Sequence, residues 1–175
     1  MKAELFSAAF LIGTAVPGSL SAQDRAPFPN PPEKVSSSSM LVTKNELGEP
    51  LTIVGTVYKA DGKTPYAGLI IYVYQTDASG VYNKQDGNWQ RPRIHGWVQT
   101  DENGKYKIRT IKPGSYPRGR NPAHIHAIVK LPGESAKWID DFLFEGDPYL
   151  TAKELKDYSG LGSFSSVMKT YKEKD

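Results

Sequence analysis

Apolar and polar side chains alternate along much of the chain, as they do in strands that bury one face. Residues 51–58, 69–75 and 137–144 are rich in β-branched and aromatic side chains, which favour strands. Residues 124–131 place a set of apolar side chains on one face and two histidines on the other. Short strands separated by Gly- and Pro-rich turns predict an all-β fold, a β-sandwich of mostly antiparallel strands.

Three further elements follow from the same pattern. Residues 97–100 and 105–111 flank the polar turn DENG at 101–104, which predicts a β-hairpin. Residues 151–158 predict a short helix, and residues 163–171 predict a last strand.

Residues 1–22 have the pattern of a signal peptide. Lys2 supplies a positive start, and Leu5–Val16 is mostly apolar but shorter than the ~20 residues that span a bilayer. Small residues then predict cleavage near Ala22 and Gln23. We therefore expect export to the periplasm or the extracellular medium, the alternative being a disordered leader of a cytosolic protein.

The rest of the chain divides into an arm and one domain. Residues 23–45 are rich in Pro and Ser, which is typical of a linker or a surface arm. Residues 46–175 are long enough for a single β-sandwich with its own core. No later segment is apolar enough to suggest a membrane span.

Composition narrows the function classes. The chain has no cysteine, which excludes thiolate zinc sites and iron–sulfur clusters. The net charge is only +3, and the basic residues are scattered, so a nucleic-acid partner is not expected. A sandwich of this size is compatible with a homo-oligomer.

The chain has three histidines, and two of them stand together on a predicted strand. His124 and His126 share one face, because side chains alternate along a strand with a period of two. Taken alone, such a pair is either two exposed polar residues or a site for zinc, copper, nickel or iron. His95, which precedes the segment GWVQT, is interpreted as a loop histidine that binds no metal.

Four segments resemble the intradiol ring-cleavage dioxygenases, the superfamily of catechol and protocatechuate dioxygenases. They are GKYKIRTIKPGSYP at 104–117, NPAHIH at 121–126, YVYQTDASGVYN at 72–83 and FEGDP at 144–148. The resemblance covers roughly residues 50–150. It implies a β-sandwich as well, in agreement with the strand pattern.

The resemblance also implies a metal site and a reaction. It implies that Fe(III) is held by two tyrosinates and two histidines, which map to Tyr82, Tyr116, His124 and His126. A small aromatic diol of the catechol type would displace Tyr116, which would then accept a substrate proton. With O2, the ring would open between its two hydroxyl-bearing carbons to give a muconate-type diacid.

Two positions depart from the family pattern. The family has an arginine three residues before the first histidine, where this chain has Asn121. Losing a charged group that stabilises the transition state costs ~10²-fold or more in rate. If the adjacent Arg120 replaces it, Arg120→Ala should reduce ring cleavage much more than Asn121→Ala.

The second departure is Asp141, at a position that is often Gln in the family. A carboxylate there would repel an anionic substrate.

Two other functions fit parts of the same sequence. Stretches such as GTVYKADGKTPYAGLIIYVY resemble prealbumin-like modules. These are secreted β-sandwiches that have a binding or structural role and no catalytic activity. In that case Tyr82 and Tyr116 would be core or corner residues, and the module would not need the NPAHIH motif.

The other alternative is a zinc or copper site on His124 and His126, although zinc prefers nitrogen and sulfur ligands to phenolate oxygen.

Overall fold

The structure is a computed structural model, and it describes residues 2–4, 8–9, 29–83, 92–131, 134–159 and 165–171. These residues form ten strands and one helix. In chain order the elements are β1 (Lys2–Glu4), β2 (Ala8–Ala9), β3 (Ser38–Met40), β4 (Pro50–Tyr58), β5 (Ile70–Gln75), β6 (Ile94–Gln99), β7 (Lys105–Ile111), β8 (His124–Lys130), β9 (Lys137–Phe144), α1 (Ala152–Ser159) and β10 (Val167–Tyr171).

The strands form two layers. The first layer has the order β3-β7-β4-β1, and β2 also pairs with β4. The second has the order β10-β9-β8-β5-β6, and β1 pairs with β10 where the layers meet. The long pairings β4–β7, β5–β6, β5–β8 and β8–β9 are antiparallel. The expected all-β sandwich of mostly antiparallel strands is therefore confirmed.

One hydrophobic core lies between the two layers. Ile53 and Ile108 face it from the first layer, and Ile71, Ile125 and Phe142 face it from the second, each at most 1% exposed. In β8 the apolar face points into this core, so that the histidine face of the same strand points away from it. The site described below therefore lies on the outer face of the second layer.

The predicted hairpin at residues 97–111 is wrong. Its turn forms, since Gly104 N–H donates to the Asp101 carbonyl at 2.9 Å. However, β6 pairs with β5, whereas β7 pairs with β4 in the other layer. In a sandwich both strands send apolar side chains into one shared core, and local alternation is the same whether two such strands pair or face each other.

The segments before β4 lie against both layers. β1 and β2 fall within the expected signal peptide, and β3 falls within the expected arm. The Ser36 carbonyl accepts from Gln99 N–H at 2.9 Å, and the Ser37 carbonyl accepts from Lys107 N–H at 2.8 Å. The arm therefore bridges β6 and β7, which belong to different layers.

The helix α1 begins at a capping box. Thr151 Oγ1 accepts from Glu154 N–H at 3.2 Å, and Glu154 Oε2 accepts from Thr151 N–H at 2.8 Å. Across the described residues, no helix has the length and apolar character needed to cross a bilayer.

Candidate metal centre

The four predicted ligands come together at one end of the second layer. His124 and His126 lie on the outer face of β8. Tyr82 lies in the loop that follows β5, and Tyr116 lies in the loop that follows β7. All four side chains are partly buried, and their donor atoms face one another.

The donor atoms are the two tyrosine hydroxyl oxygens and the two histidine Nε2 atoms. The hydroxyl oxygens lie 2.5 Å apart, and the Nε2 atoms lie 3.2 Å apart. The Tyr82 oxygen is 2.9 Å from His126 Nε2, and the Tyr116 oxygen is 3.0 Å from His124 Nε2. A transition metal bonded at about 2.0–2.1 Å holds neighbouring ligands about 3 Å apart, so the spacing fits one ion.

The hydrogen bonds behind the imidazoles determine where their protons are. His124 Nδ1 lies 2.7 Å from the Pro122 carbonyl oxygen, and His126 Nδ1 lies 2.9 Å from Asp141 Oδ1. Because a carbonyl and a carboxylate can only accept, each Nδ1 is the donor in its contact, and a neutral imidazole held in this way presents the lone pair of Nε2. A cation bound between the two Nε2 atoms, which lie 3.2 Å apart, would accept both lone pairs.

A second set of ligands is also present in the described residues. His124, His126 and Asp141 can each offer a ligand atom within 4.8 Å of the others, as in two-histidine, one-carboxylate sites. Asp141 Oδ1 contacts Nδ1 of His126 at 2.9 Å, whereas both tyrosine oxygens lie on the Nε2 side of that ring. The four-atom cluster uses Nε2 of both histidines and leaves Asp141 as a supporting partner.

Hydrogen bonds between the layers hold the starts of the two tyrosine loops. Gln75, at the end of β5, is fully buried. Its Nε2 donates to the Ile111 carbonyl at 2.9 Å, and its Oε1 accepts from Thr110 Oγ1 at 2.9 Å. Thr76 Oγ1 also donates to the Gly114 carbonyl at 2.8 Å. The loops that carry Tyr82 and Tyr116 therefore begin at neighbouring positions that are joined by hydrogen bonds.

Two glycines let the tyrosine loops approach each other closely. A Cβ on Gly80 would lie 1.9 Å from the Ser115 carbonyl oxygen, and Gly80 has φ +81°. A Cβ on Gly114 would lie 2.5 Å from the Ala78 carbonyl oxygen. The backbones thus pack where no side chain fits, and this contact sets the spacing of Tyr82 and Tyr116.

Asp77 organises the turn that leads to Tyr82. Its Oδ1 accepts from Ser79 N–H at 2.9 Å and from Val81 N–H at 3.1 Å, and its Oδ2 accepts from the Asn83 amide. Burial raises the pKa of this carboxyl, but the hydrogen bonds from Ser79 and Val81 outweigh it and hold the pKa below its usual value. Asp77 is therefore an ionised acceptor at neutral pH.

The Tyr82 hydroxyl does not lose its proton readily by itself. Burial is the larger cause and the hydrogen bond with Tyr116 the second cause that raise the pKa of Tyr82 far above that of a free phenol. A metal ion that binds the oxygen would displace the proton, so that binding and proton release are coupled.

Within the part of the chain that the structure describes, two cavities border the cluster. One, of about 580 Å³, contains both histidines and Tyr116 together with Asn121, and three carboxylates line it: Asp140, Asp141 and Glu154. The other, of about 770 Å³, is lined by both tyrosines and by Arg118. Tyr116 alone among the four predicted ligands lines both.

The remaining sequence predictions have separate outcomes. Asn121 lines the smaller cavity. Arg120 is exposed, and it is absent from the described residues that line either cavity. His95 is the second residue of β6 rather than part of a loop, and its Nδ1 lies 3.1 Å from the Tyr72 hydroxyl, away from the cluster.

Several residues of the smaller cavity were not predicted. Trp138 and Tyr158 are aromatic, and Asp140 and Glu154 are acidic. Trp138 packs against His126 with ring centroids 5.9 Å apart. Alternation in the segment 137–144 would place Trp138 on the same face as the core residues Phe142 and Phe144, so it could not have identified Trp138. Nothing local links Glu154 or Tyr158 of α1 to this site either.

Known proteins resemble the chain in sequence and in fold. A family model described as a dioxygenase matches residues 29–159. Catechol 1,2-dioxygenase of Acinetobacter baylyi is 31% identical over 136 residues, which cover 67% of this chain and 43% of that enzyme. 6-Chlorohydroxyquinol 1,2-dioxygenase of Cupriavidus pinatubonensis is 30% identical over 125 residues, which cover 62% of this chain and 45% of that enzyme.

A solved structure shares the fold. It is the dioxygenase domain of a dioxygenase carbohydrate-binding protein fusion from Streptomyces sp. SirexAA-E. Its TM-score is 0.59 at 24% identity, and the match covers 86% of this chain and 88% of that domain. By contrast, the chain spans less than half the length of the two curated relatives.

Proposed function

The chain belongs to the intradiol ring-cleavage dioxygenases, a family that depends on non-haem iron, and on this basis we propose that it is an Fe(III) enzyme that opens a catechol ring with O2. The products would be muconate-type diacids. Catechol and O2 combine without loss of atoms: the bond between the two hydroxyl-bearing carbons breaks, and both oxygen atoms enter the product.

The observation that carries this proposal is the convergence of two phenol oxygens and two Nε2 atoms, which are joined by five contacts of 2.5–3.5 Å. Phenolate oxygens are hard anionic ligands, and two of them favour Fe(III) over Fe(II). Zinc prefers nitrogen and sulfur. These four residues would hold ferric iron, the two oxygens of the diol would chelate it, and the metal would supply the charge redistribution that makes the ring reactive toward O2.

Tyr116 is the ligand best placed to give way to a substrate. Its side chain lines the cavity that also contains both histidines, whereas Tyr82 lines only the other cavity. Once released, the Tyr116 oxygen would accept a proton from a substrate hydroxyl. Asn121, in the same cavity, would donate a hydrogen bond to the substrate without adding a charge.

The charges of the smaller cavity favour a catechol without an acidic substituent. Its volume of about 580 Å³ suits a small ligand. Asp140, Asp141 and Glu154 line it, and among its described lining residues there is no Lys or Arg. A ring that carries a carboxylate would therefore meet like charges, which cost several kcal/mol when they lie close together.

The test is an oxygen-uptake assay with the iron-loaded protein, with catechol and 3,4-dihydroxybenzoate as substrates. We expect one O2 consumed per catechol and a product with the mass of catechol plus O2. We also expect kcat/KM for catechol to exceed that for the carboxylate by at least about tenfold. An iron-loaded protein that cleaves neither compound nor any other simple catechol would contradict the activity, and equal rates would contradict the substrate class.

A further inference from the structure

The strand β9 contains a β-bulge directly beside His126. Ile125 of β8 pairs with Phe142, and Ala127 pairs with Ile139. Between these pairs β8 has one residue, His126, while β9 has two, Asp140 and Asp141. Such an extra residue breaks the alternation of a strand and redirects the side chains that follow it.

The bulge decides which of the two aspartates reaches His126. Trp138 lies on the outer face with His126, and counting by twos from it would place Asp140 on that face and Asp141 in the core. The bulge shifts the alternation of side chains by one residue, as shown by Phe142, which faces the core. Asp141 consequently lies on the outer face, where its Oδ1 is 2.9 Å from His126 Nδ1.

The two histidines of the cluster therefore have different partners. His124 Nδ1 donates to a neutral acceptor, the Pro122 carbonyl, at 2.7 Å. His126 Nδ1 donates to a carboxylate. The His126 ring is also packed against Tyr74, with ring centroids 4.5 Å apart. The contact with Asp141 holds the orientation of the His126 ring and places a negative charge behind it.

We propose that Asp141 is a positioning residue that aims His126 Nε2 at the metal and makes it the stronger of the two nitrogen ligands. This inference rests on the proposed ferric site. Carboxylate–histidine pairs behind metal ions raise the basicity of the imidazole, and their loss typically costs 10–100-fold in metal affinity. In this chain the Asp141 carboxylate contacts His126, whereas Asp140, the other residue of the bulge, makes no described contact with that imidazole.

The proposal has an electronic consequence. A more strongly donating imidazole lowers the Lewis acidity of Fe(III) and stabilises Fe(III) relative to Fe(II). It also raises the energy of charge transfer from tyrosinate to iron. Removing the negative charge of Asp141 should therefore move the charge-transfer band to longer wavelength and raise the Fe(III)/Fe(II) potential.

The experiment compares Asp141→Asn, Asp141→Ala and the control Asp140→Asn, all without substrate. Asp141→Asn keeps an acceptor for Nδ1–H and removes the charge, whereas Asp141→Ala removes both. Asp140→Asn removes the same charge from the same bulge. The readouts are iron affinity by competition with a chelator, the visible spectrum and the reduction potential, with thermal unfolding of the metal-free proteins as a check on folding.

We expect Asp141→Asn to shift the band to longer wavelength and raise the potential, and Asp141→Ala to lose 10–100-fold in iron affinity. Asp140→Asn should change the affinity by less than about fivefold, the effect of an exposed charge. Equal spectra and potentials for Asp141→Asn and Asp140→Asn would overturn the proposal. A wild-type protein that binds iron without any charge-transfer band would instead contradict the tyrosinate site itself.

Discussion

The three histidines of the chain occupy two different environments. Nε2 of His124 and of His126 faces the tyrosine oxygens. His95 lies on β6, beside Tyr72. Only the first two have both a hydrogen-bonded Nδ1 and an Nε2 directed into the cluster.

This difference predicts that His124→Ala abolishes tight iron binding, whereas His95→Ala keeps it. Loss of one of four ligands should reduce affinity by at least about 100-fold, more than the loss of a supporting contact. His95→Ala removes a hydrogen bond worth about 1 kcal/mol of the free energy of unfolding. Iron content after dialysis against a chelator measures the first effect, and thermal unfolding measures the second. If both variants kept iron equally, His124 would not be a ligand.

At the level of single residues, the sequence predicted which four side chains converge, but not their hydrogen-bond partners. Tyr82, Tyr116, His124 and His126 followed from the resemblance to a family, and the structure brings them together. The contact between Asp141 and His126 did not follow, because it depends on a bulge that shifts the register of β9. Alternation within one strand contains no information about a bulge in its pairing with the next.

Among the structural elements, the two loops after β5 and β7 carry the tyrosines and depend on close backbone packing. Gly80 and Gly146 have nearly the same φ, +81° and +82°. A Cβ on Gly80 would meet the Ser115 carbonyl at 1.9 Å, whereas a Cβ on Gly146 would meet no atom within 4 Å. The two glycines therefore separate the effect of backbone conformation from the effect of packing.

We predict that Gly80→Ala disrupts the tyrosine pair and Gly146→Ala does not. Gly146→Ala should cost about 1–2 kcal/mol of the free energy of unfolding, the cost of a left-handed residue with a Cβ. For a chain of this size, each kcal/mol lost lowers Tm by about 2–4 °C. Gly80→Ala should lower Tm further and reduce the iron bound per chain. If the two variants had the same Tm and iron content, the close approach of the loops would not position the tyrosines.

Periodicity located the strands but not their pairing. The segments predicted at 51–58, 69–75 and 137–144 correspond to β4, β5 and β9. The hairpin failed because β6 and β7 face each other across the core instead of pairing. The buried hydrogen bonds of Gln75 to Thr110 and Ile111 were also not predictable, because they join strands of different layers.

At the scale of the whole molecule, the proposed metal site lies on the outer face of the second layer of the sandwich. The layers hold the histidines on a strand, and the tyrosines on loops that are cross-linked to both layers. The net charge of the chain is +3, yet three carboxylates line the cavity beside the histidines. Local charge and overall charge therefore have opposite signs at the proposed substrate site.

The N-terminal segment bears on where the protein would be located. We propose export, because residues 1–22 have the pattern of a signal peptide. Cleavage after Ala22 would remove β1 and β2, so that β7 would be the remaining partner of β4 among the described strands. N-terminal sequencing of the protein from its native host would test this: a mature chain that begins at Met1 would contradict it.

The central claim is that two tyrosines and two histidines hold ferric iron, and the visible absorption spectrum of the iron-loaded protein tests it most directly. We predict a tyrosinate-to-iron charge-transfer band that shifts when catechol is added in air and recovers as the product forms. Tyr82→Phe should weaken the band and change its energy, because one phenolate is lost. A colourless wild-type protein with no iron by elemental analysis after loading would contradict the four-ligand site.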